Sequence, residues 1–136
     1  MKRHVLMLVL TLAAGIALGV LGGRVLNAQQ KPARAVQLLK TDMEGMEGKE
    51  GILVIAEFDP GAKSAKNYHP GHEFIYVLEG SGILDVEGKP IRLKAGDVFY
   101  LPPKRNHYTT NDGTTTLRAL AVFIHEKGQP VSIPVP

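Results

Sequence analysis

The sequence predicts an all-β domain that follows an apolar leader. Short apolar or alternating runs recur after residue 35, and clusters of glycine, proline and asparagine separate them roughly every 8–12 residues. No window after the leader has a sustained helical apolar face. This combination is typical of a β-sandwich or a β-barrel.

Residues 1–28 form the leader. Lys2, Arg3 and His4 form a basic start, and residues 5–23 contain no charged side chain. The pattern predicts an apolar helix that is either a cleaved signal peptide or a retained membrane anchor. Ala28 suits cleavage, whereas Leu26 is a poor residue two positions earlier. Both alternatives predict export, with the domain periplasmic, secreted, or tethered to a membrane outside the cytoplasm.

Composition excludes several classes of function. Without the three basic residues of the leader, the chain has 13 basic and 13 acidic residues, because the whole chain has 16 and 13. A neutral domain lacks the basic surface that nucleic-acid binding requires, so we expect no nucleic-acid partner. The chain has no cysteine, and any metal must therefore be bound by nitrogen and oxygen ligands.

The folded part is expected to follow a polar linker at residues 29–34 and to form one domain over residues 35–136. Strands are predicted at 36–39, 52–58, 73–78, 82–86, 91–93, 98–101, 107–110 and 115–124. The glycine-rich stretch 41–51 is predicted to be a surface loop. The proline-containing segment 129–136 is expected to be extended, along an edge strand or a second subunit.

Three side chains are candidate metal ligands. His69 and Glu73 flank a Pro-Gly turn, and His107 begins a later predicted strand. Two imidazoles and one carboxylate leave coordination positions open on iron, manganese, zinc or nickel. Each residue alone would be ordinary in a loop, so their spacing decides the interpretation.

The spacing matches two motifs. Gly61 is followed after five residues by Asn67-Tyr68-His69, after three more by Glu73 and after six more by Gly80. Fifteen residues separate Gly80 from Gly96, which begins a second pattern that continues with Pro102, His107 and Asn111. In this arrangement the chain resembles the cupin superfamily. The resemblance implies a double-stranded β-helix, or jelly-roll barrel, with a divalent metal inside the barrel mouth.

Two positions depart from the motifs of that superfamily. Asn67 stands where a histidine is expected, so the resemblance implies either three protein ligands plus solvent or a fourth, weak amide ligand. Lys104 replaces an expected glycine. His72 is adjacent to Glu73 and is predicted to face outward or to lie behind the ligands, because neighbouring strand residues point to opposite faces. His125 is predicted to be unrelated to the site.

Apolar and aromatic residues near the ligands are candidate walls of a substrate pocket. We assign this role to Tyr68, Tyr76, Phe99 and Leu101. Core packing is the alternative role for each of them.

Two functions remain open at this stage. One is a metal-dependent enzyme, such as an oxygenase or isomerase, that acts on a small molecule. The other is a module of the cell envelope that binds or senses a small ligand without catalysis. By analogy with the superfamily we also expect a homodimer.

Overall fold

A computed structural model of the chain describes residues 32–136, so the predicted leader and residues 29–31 of the predicted linker lie outside the described residues. The described part is all β, as predicted, and contains no helix. None of its segments is a helix long and apolar enough to cross a membrane. The ten strands are β1 (Arg34–Asp42), β2 (Lys49–Phe58), β3 (Asn67–Tyr68), β4 (His72–Glu79), β5 (Ser81–Val86), β6 (Lys89–Lys94), β7 (Val98–Leu101), β8 (His107–Thr110), β9 (Leu117–Glu126) and β10 (Ile133–Pro134).

The strands form two five-stranded sheets. The first sheet has the order β1-β2-β9-β4-β7, and the second has the order β10-β3-β8-β5-β6. Every pair of neighbouring strands is antiparallel. All eight predicted strands are confirmed. Strands β3 and β10 were not predicted, because two residues are too few to show an alternating pattern.

The loop predicted for the glycine-rich stretch 41–51 is shorter in the structure. Strand β1 continues to Asp42 and β2 begins at Lys49, with Thr41 paired to Gly51 and Asp42 to Glu50. Only residues 43–48 connect the two strands. Gly45 and Gly48 lie in this connection with positive φ, and only Gly51 lies in a strand, where cross-strand pairing outweighs its poor strand propensity.

The core lies between the two sheets. Strand β9 alternates strictly between buried and half-buried residues, and its buried side chains face inward. The main buried cluster draws on both sheets and consists of Phe58, Ala62, Val77, Leu84, Leu93, Leu101 and Leu117. A smaller cluster of Ile52, Ala121 and Phe123 lies towards the other end of the first sheet.

Several inward positions of the first sheet carry alanine where a closed core would require bulk. Ala56 on β2 is paired with Ala119 on β9, and Ala121 follows two residues later on the same face. Such small side chains cannot fill the space between the sheets. The result is an open cavity at this level of the fold, described below.

The turns show why the motif residues occur where they do. Gly61, Gly80 and Gly96 all have positive φ, which glycine adopts without steric strain. Asn111 is fully buried and donates hydrogen bonds from Nδ2 to the carbonyls of Phe58 and Thr115, while its Oδ1 accepts one from the Gly113 amide. Its role is to close the loop before β9. Lys104 also has positive φ, at 63°, so the turn keeps its shape without the expected glycine.

Candidate metal centre

His69 and Glu73 lie on either side of a sharp connection between β3 and β4. Gly71 makes this connection possible, because a Cβ atom at that position would lie 2.3 Å from the Ile124 carbonyl oxygen and 2.4 Å from the His125 Cβ. The backbone therefore passes directly against β9. This close approach brings His69 and Glu73 to the same side of the first sheet.

His107 reaches the same place from the second sheet. It begins β8, and its register partner on β3 is Asn67. Side chains of directly paired residues lie on the same face of a sheet. Asn67 and His107 are thus neighbours, and the short strand β3 connects them to His69.

The three predicted ligands converge. One potential ligand atom from each of His69, Glu73 and His107 lies within 4.8 Å of the others. The distance from Glu73 Oε2 is 3.3 Å to His69 Nε2 and 3.8 Å to His107 Nε2. Residues that are up to 38 positions apart in the chain therefore form one compact cluster, which the structure can offer to a divalent metal.

The hydrogen bonds of the two histidines fix the direction in which they present a lone pair. His69 Nδ1 is 2.6 Å from the Val131 carbonyl oxygen, and His107 Nδ1 is 2.9 Å from that of Arg105. A carbonyl oxygen can only accept, so in each ring Nδ1 carries the proton and donates it. Both Nε2 atoms consequently turn a free lone pair towards Glu73, the arrangement in which imidazole binds metals.

Burial keeps the cluster neutral in the absence of a cation. It lowers the pKa of His69 from 6.5 to about 4, although the hydrogen bond to Val131 opposes this change. It also lowers the pKa of His107 and raises the pKa of Glu73 from 4.5 to about 8. A charged group is disfavoured in a poorly solvated site unless an opposite charge compensates it.

Two buried oxygen atoms of the cluster lack a hydrogen-bond partner. These atoms are Glu73 Oε2 and Asn67 Oδ1. The Asn67 amide donates from Nδ2 to the Ala65 carbonyl, which leaves its oxygen as the free end. Unpaired buried acceptors are costly. Two imidazole lone pairs, a carboxylate oxygen and an amide oxygen without donors are a donor set that fits a divalent cation.

The cluster faces a cavity of about 400 Å³ between the sheets. Its walls are mainly apolar, and they are formed by Ala33, Ala35, Val54, Ala56, Phe58, Ile75, Leu84, Leu93, Leu117, Ala119, Ala121, Phe123 and Val131. Asn67, His69, Glu73 and His107 line it as well. A cavity of this size and character is typical of sites for small organic molecules.

The four residues predicted as pocket walls lie elsewhere. Tyr68 alternates with Asn67 and His69 and does not line the cavity. Tyr76 lies on the outer face of the first sheet and is 45% exposed. Phe99 and Leu101 line a separate depression of about 370 Å³. The cavity walls come instead from β2 and β9, whose inward alanines were the signal in the sequence.

The two remaining histidines of the described chain, His72 and His125, lie outside the metal cluster. His72 is exposed, and its Nδ1 is 2.8 Å from the Tyr100 hydroxyl, so it faces away from the cluster as alternation predicts. His125 is buried and its Nε2 is 3.3 Å from Glu50 Oε1, which in turn is 3.1 Å from Lys40 Nζ. This second polar group lies behind Gly71 and does not line the cavity.

Two contacts of the site could not be predicted from local patterns. The Val131 carbonyl binds His69 from a segment 62 residues further along the chain. The Phe123 ring packs on the His69 imidazole, with 4.7 Å between ring centroids. Alternation along β9 indicates that Phe123 faces inward, but only the tertiary structure shows which side chain it meets.

Comparison with known proteins agrees with the geometry. The family model of the cupin domain matches residues 54–123, which are 70 of the 136 residues. Over 82 residues the chain is 34% identical to an oxalate-binding protein of Thermotoga maritima, covering 60% of this chain and 68% of that protein. Over 61 residues it is 39% identical to a dimethylsulfoniopropionate lyase of Ruegeria pomeroyi, covering 45% of this chain and 40% of the lyase.

A solved structure shows the same fold. A protein of Klebsiella pneumoniae with a double-stranded β-helix domain superposes with a TM-score of 0.63 at 19% identity, over 80% of this chain and 88% of that protein. The sheet order, the His-His-Glu cluster and the match of the family model lead to one conclusion. The chain belongs to the cupin family.

Proposed function

We propose that the domain binds a divalent metal through His69 Nε2, His107 Nε2 and the Glu73 carboxylate, with Asn67 Oδ1 as a weak fourth ligand. One observation carries the proposal: ligand atoms of His69, Glu73 and His107 converge within 4.8 Å at the wall of an apolar cavity, and Glu73 Oε2 has no hydrogen-bond partner there. A bound ion would supply Lewis acidity and open coordination positions. The chain itself supplies two oriented imidazoles and a mainly apolar cavity wall.

We further propose that the cavity holds a small organic molecule with an apolar body and one polar end that reaches the metal. The walls support this ligand class, since most of the lining residues are apolar and the three metal ligands are among the polar ones. Arg34 is the only arginine or lysine among the residues that border the cavity in the described chain. Its register with Glu57 places it in an outward-facing row, and its guanidinium donates two hydrogen bonds to Asp59, at 2.8 and 3.1 Å. The cavity therefore offers little to balance a small dianion.

The Thermotoga relative is named for binding oxalate. Oxalate would be held here by the metal alone, because the surrounding side chains are apolar. A phenol or a diketone would bind the metal through oxygen and also bury its carbon skeleton against β2 and β9. We expect the second type of ligand to bind more tightly.

Metal binding is tested first. Isothermal titration of the metal-free full chain with Zn²⁺, Mn²⁺, Fe²⁺ and Ni²⁺ should detect one site per chain. Glu73→Ala should lower affinity by more than about 100-fold, beyond the 10- to 100-fold typical of outer contacts. Asn67→His should raise affinity about tenfold by replacing a weak ligand. His72→Ala, an outward-facing histidine, is the matched control; equal affinities in all four proteins would refute the ligand set.

Ligand class is tested next on the metal-loaded chain. A thermal-shift series should compare oxalate with phenols and diketones, each with and without the metal. Stabilisation by the apolar chelators and not by oxalate is expected, and it should vanish in Glu73→Ala. A larger shift with oxalate would contradict the proposed ligand class.

Catalysis is the second candidate function, and a specific feature favours it. Three strong protein ligands leave open positions at the metal, which oxygenases and isomerases of this kind require. One relative is named as a lyase and another as a binding protein, so the family alone does not decide between them. Metal-dependent product formation from a ligand found by thermal shift would establish an enzyme, and binding without turnover would establish a binding module.

We propose that the domain acts outside the cytoplasm, as a periplasmic, secreted or membrane-tethered protein. The support is the basic start and uncharged run of residues 1–28. Fractionation of expressing cells and mass determination of the mature chain should find it in the envelope or medium. A full-length chain in the cytoplasm would refute export.

We propose that two copies associate through the outer face of the first sheet. Two complete rows of apolar side chains cross all five strands. One row is Val36, Ile55, Leu120, Tyr76 and Val98, and the other is Leu39, Leu53, Val122, Phe74 and Tyr100. Six of these ten side chains are at least 43% exposed. A contiguous exposed apolar face of this kind marks an interaction surface in soluble proteins.

The border of this apolar face supports a protein partner. The next row of the same face consists of Arg34, Glu57, Arg118 and Glu79, with alternating charge and ion pairs of 2.7 and 3.0 Å around Arg118. An apolar centre with a polar rim is the usual anatomy of a protein interface. A balanced row of charges gives no net attraction to an anionic membrane surface.

A further inference from the structure

The segment 129–136, here called the strap, returns from β9 to the wall of the cavity. Its strand β10 pairs with β3, so that Ile133 lies opposite Tyr68 and Pro134 opposite Asn67. The Val135 amide donates to the Lys66 carbonyl at 3.0 Å. The strap is thus fixed to the strand that carries Asn67 and leads directly to His69.

The strap also contacts a metal ligand. The Val131 carbonyl accepts the hydrogen bond from His69 Nδ1 at 2.6 Å, and its side chain packs against the cluster of Ile52, Ala121 and Phe123. Val131 and Ser132 line the cavity. The strap is therefore both a wall of the cavity and the partner that orients one imidazole.

His69 and His107 differ in where the carbonyl group that accepts their Nδ1 hydrogen bond lies along the chain. His107 donates to the Arg105 carbonyl, only two residues away in the same turn. His69 donates to a carbonyl 62 residues away. The orientation of His107 is consequently a local property, whereas the orientation of His69 depends on the docking of the strap.

We propose that the strap is a positioning element of the metal centre: its docking on β3 holds His69 with the proton on Nδ1 and the lone pair of Nε2 towards Glu73. Metal binding and strap docking are then coupled. Because coupling is reciprocal, a metal bound to His69 strengthens the docking of the strap. This inference rests on the proposed metal site.

The first test examines the imidazole and not activity. Two-bond ¹H–¹⁵N spectra of the metal-free full chain should show both His69 and His107 protonated at Nδ1. Deletion of residues 130–136 should turn His69 into a mixture of tautomers and leave His107 unchanged. Zn²⁺ affinity should fall 10- to 100-fold, the usual loss when an outer partner of a metal-bound histidine is removed.

Two variants distinguish the role of the Val131 carbonyl from that of the other contacts of the strap. Val131→Ala keeps the carbonyl and removes most of the apolar cover, so His69 should remain protonated at Nδ1. Val135→Pro removes the amide that anchors the strap to Lys66 and should shift His69 partly towards the other tautomer. This milder change also decides the question if the deletion prevents folding.

The reciprocal effect gives an independent readout. Hydrogen exchange at the Val135 amide should slow when Zn²⁺ is added to the wild-type chain, but not in Glu73→Ala. An unchanged His69 tautomer and unchanged Zn²⁺ affinity in a folded strap variant would overturn the inference. If the wild-type chain bound no metal, the proposed function would fail, yet the tautomer experiment would still show whether the strap orients His69.

Discussion

Glu73 is the residue on which the chemistry of the site depends. Its carboxylate lies between two imidazole nitrogens that both present lone pairs, and burial raises its pKa to about 8. Near neutral pH the metal-free site therefore holds a proton where a metal would bind. A divalent ion has to displace this proton, since metal ligands bind in their deprotonated form.

Metal affinity should consequently rise with pH. Between pH 6.5 and 8 both histidines are already neutral, because burial lowers their pKa values, and only Glu73 still carries a proton. We expect release of about one proton per ion at pH 7. Titration calorimetry in buffers of different ionisation enthalpy measures this number, and a value of zero would contradict the assigned role of Glu73.

The stability of the metal-free chain should change in the opposite direction. A carboxyl whose pKa is raised on folding binds a proton that the unfolded chain loses above 4.5, so stability falls as pH rises from 6.5 to 8. The slope is at most about 1.4 kcal/mol per pH unit. Between pH 4 and 6.5 the lowered pKa of His69 offsets this decline, because the unfolded chain there binds a proton at His69 that the folded chain does not. Urea denaturation should show the decline, and Glu73→Gln should lack it.

Lys104 is a second residue with a measurable consequence. It has a left-handed backbone, its side chain is exposed, and its amide donates to the His69 carbonyl at 2.8 Å. Lys104→Gly should stabilise the chain by about 0.5–1 kcal/mol, because relief of backbone strain exceeds the entropy cost of glycine. Arg105→Gly, at an exposed neighbour without positive φ, should destabilise it. Urea denaturation distinguishes the two, and equal effects would contradict this explanation.

At the scale of elements, the β3–β4 connection decides whether two ligands meet. Gly71 allows this connection to pass against β9 at His125. The buried pair of His125 and Glu50 therefore lies directly behind the connection and supports it. Neither residue lines the cavity.

Gly71→Ala should displace His69 relative to Glu73. A methyl group there would overlap Ile124 and His125, and overpacking of this kind costs about 1–3 kcal/mol. Zn²⁺ affinity should fall about tenfold or more. Gly51→Ala is the matched control, because its added Cβ would meet only Met43 at 3.7 Å. Equal affinities in both variants would show that the connection does not position the ligands.

At the scale of the whole molecule, the two faces of the first sheet have different roles. The inner face carries the alanines and the ligand Glu73, and the outer face carries the two apolar rows. Because successive strand residues alternate between faces, Tyr76 lies on the outer face although its neighbour Ile75 lines the cavity. Association and ligand binding can therefore be changed separately.

Substitution of the outer face should separate the proposed dimer. The double variant Tyr76→Lys with Val98→Lys places two charges in one apolar row and should sediment as a monomer. Met46→Lys is the matched control, because Met46 is 43% exposed and lies in the β1–β2 connection outside the rows. It should behave as the wild-type chain does. A monomeric wild-type chain in sedimentation velocity would refute the proposed interface.

Much of the fold could be predicted from the sequence because its signals are local. Alternation and turn residues identified eight strands, and the spacing of Gly61, Gly80 and Gly96 located turns that need positive φ. The loop predicted over 41–51 is confined to residues 43–48, because pairing between β1 and β2 extends further than composition suggests.

The residues His69, Glu73 and His107 were named by the sequence itself, since motif spacing is a property of the chain alone. The tertiary structure decided everything that depends on contact between distant segments. It placed Tyr76 outside and Ala119 and Ala121 along the cavity, and it brought the Val131 carbonyl to His69. The physical reason is that alternation gives the two faces of a strand, whereas only sheet pairing determines which face encloses the cavity and which segment covers it.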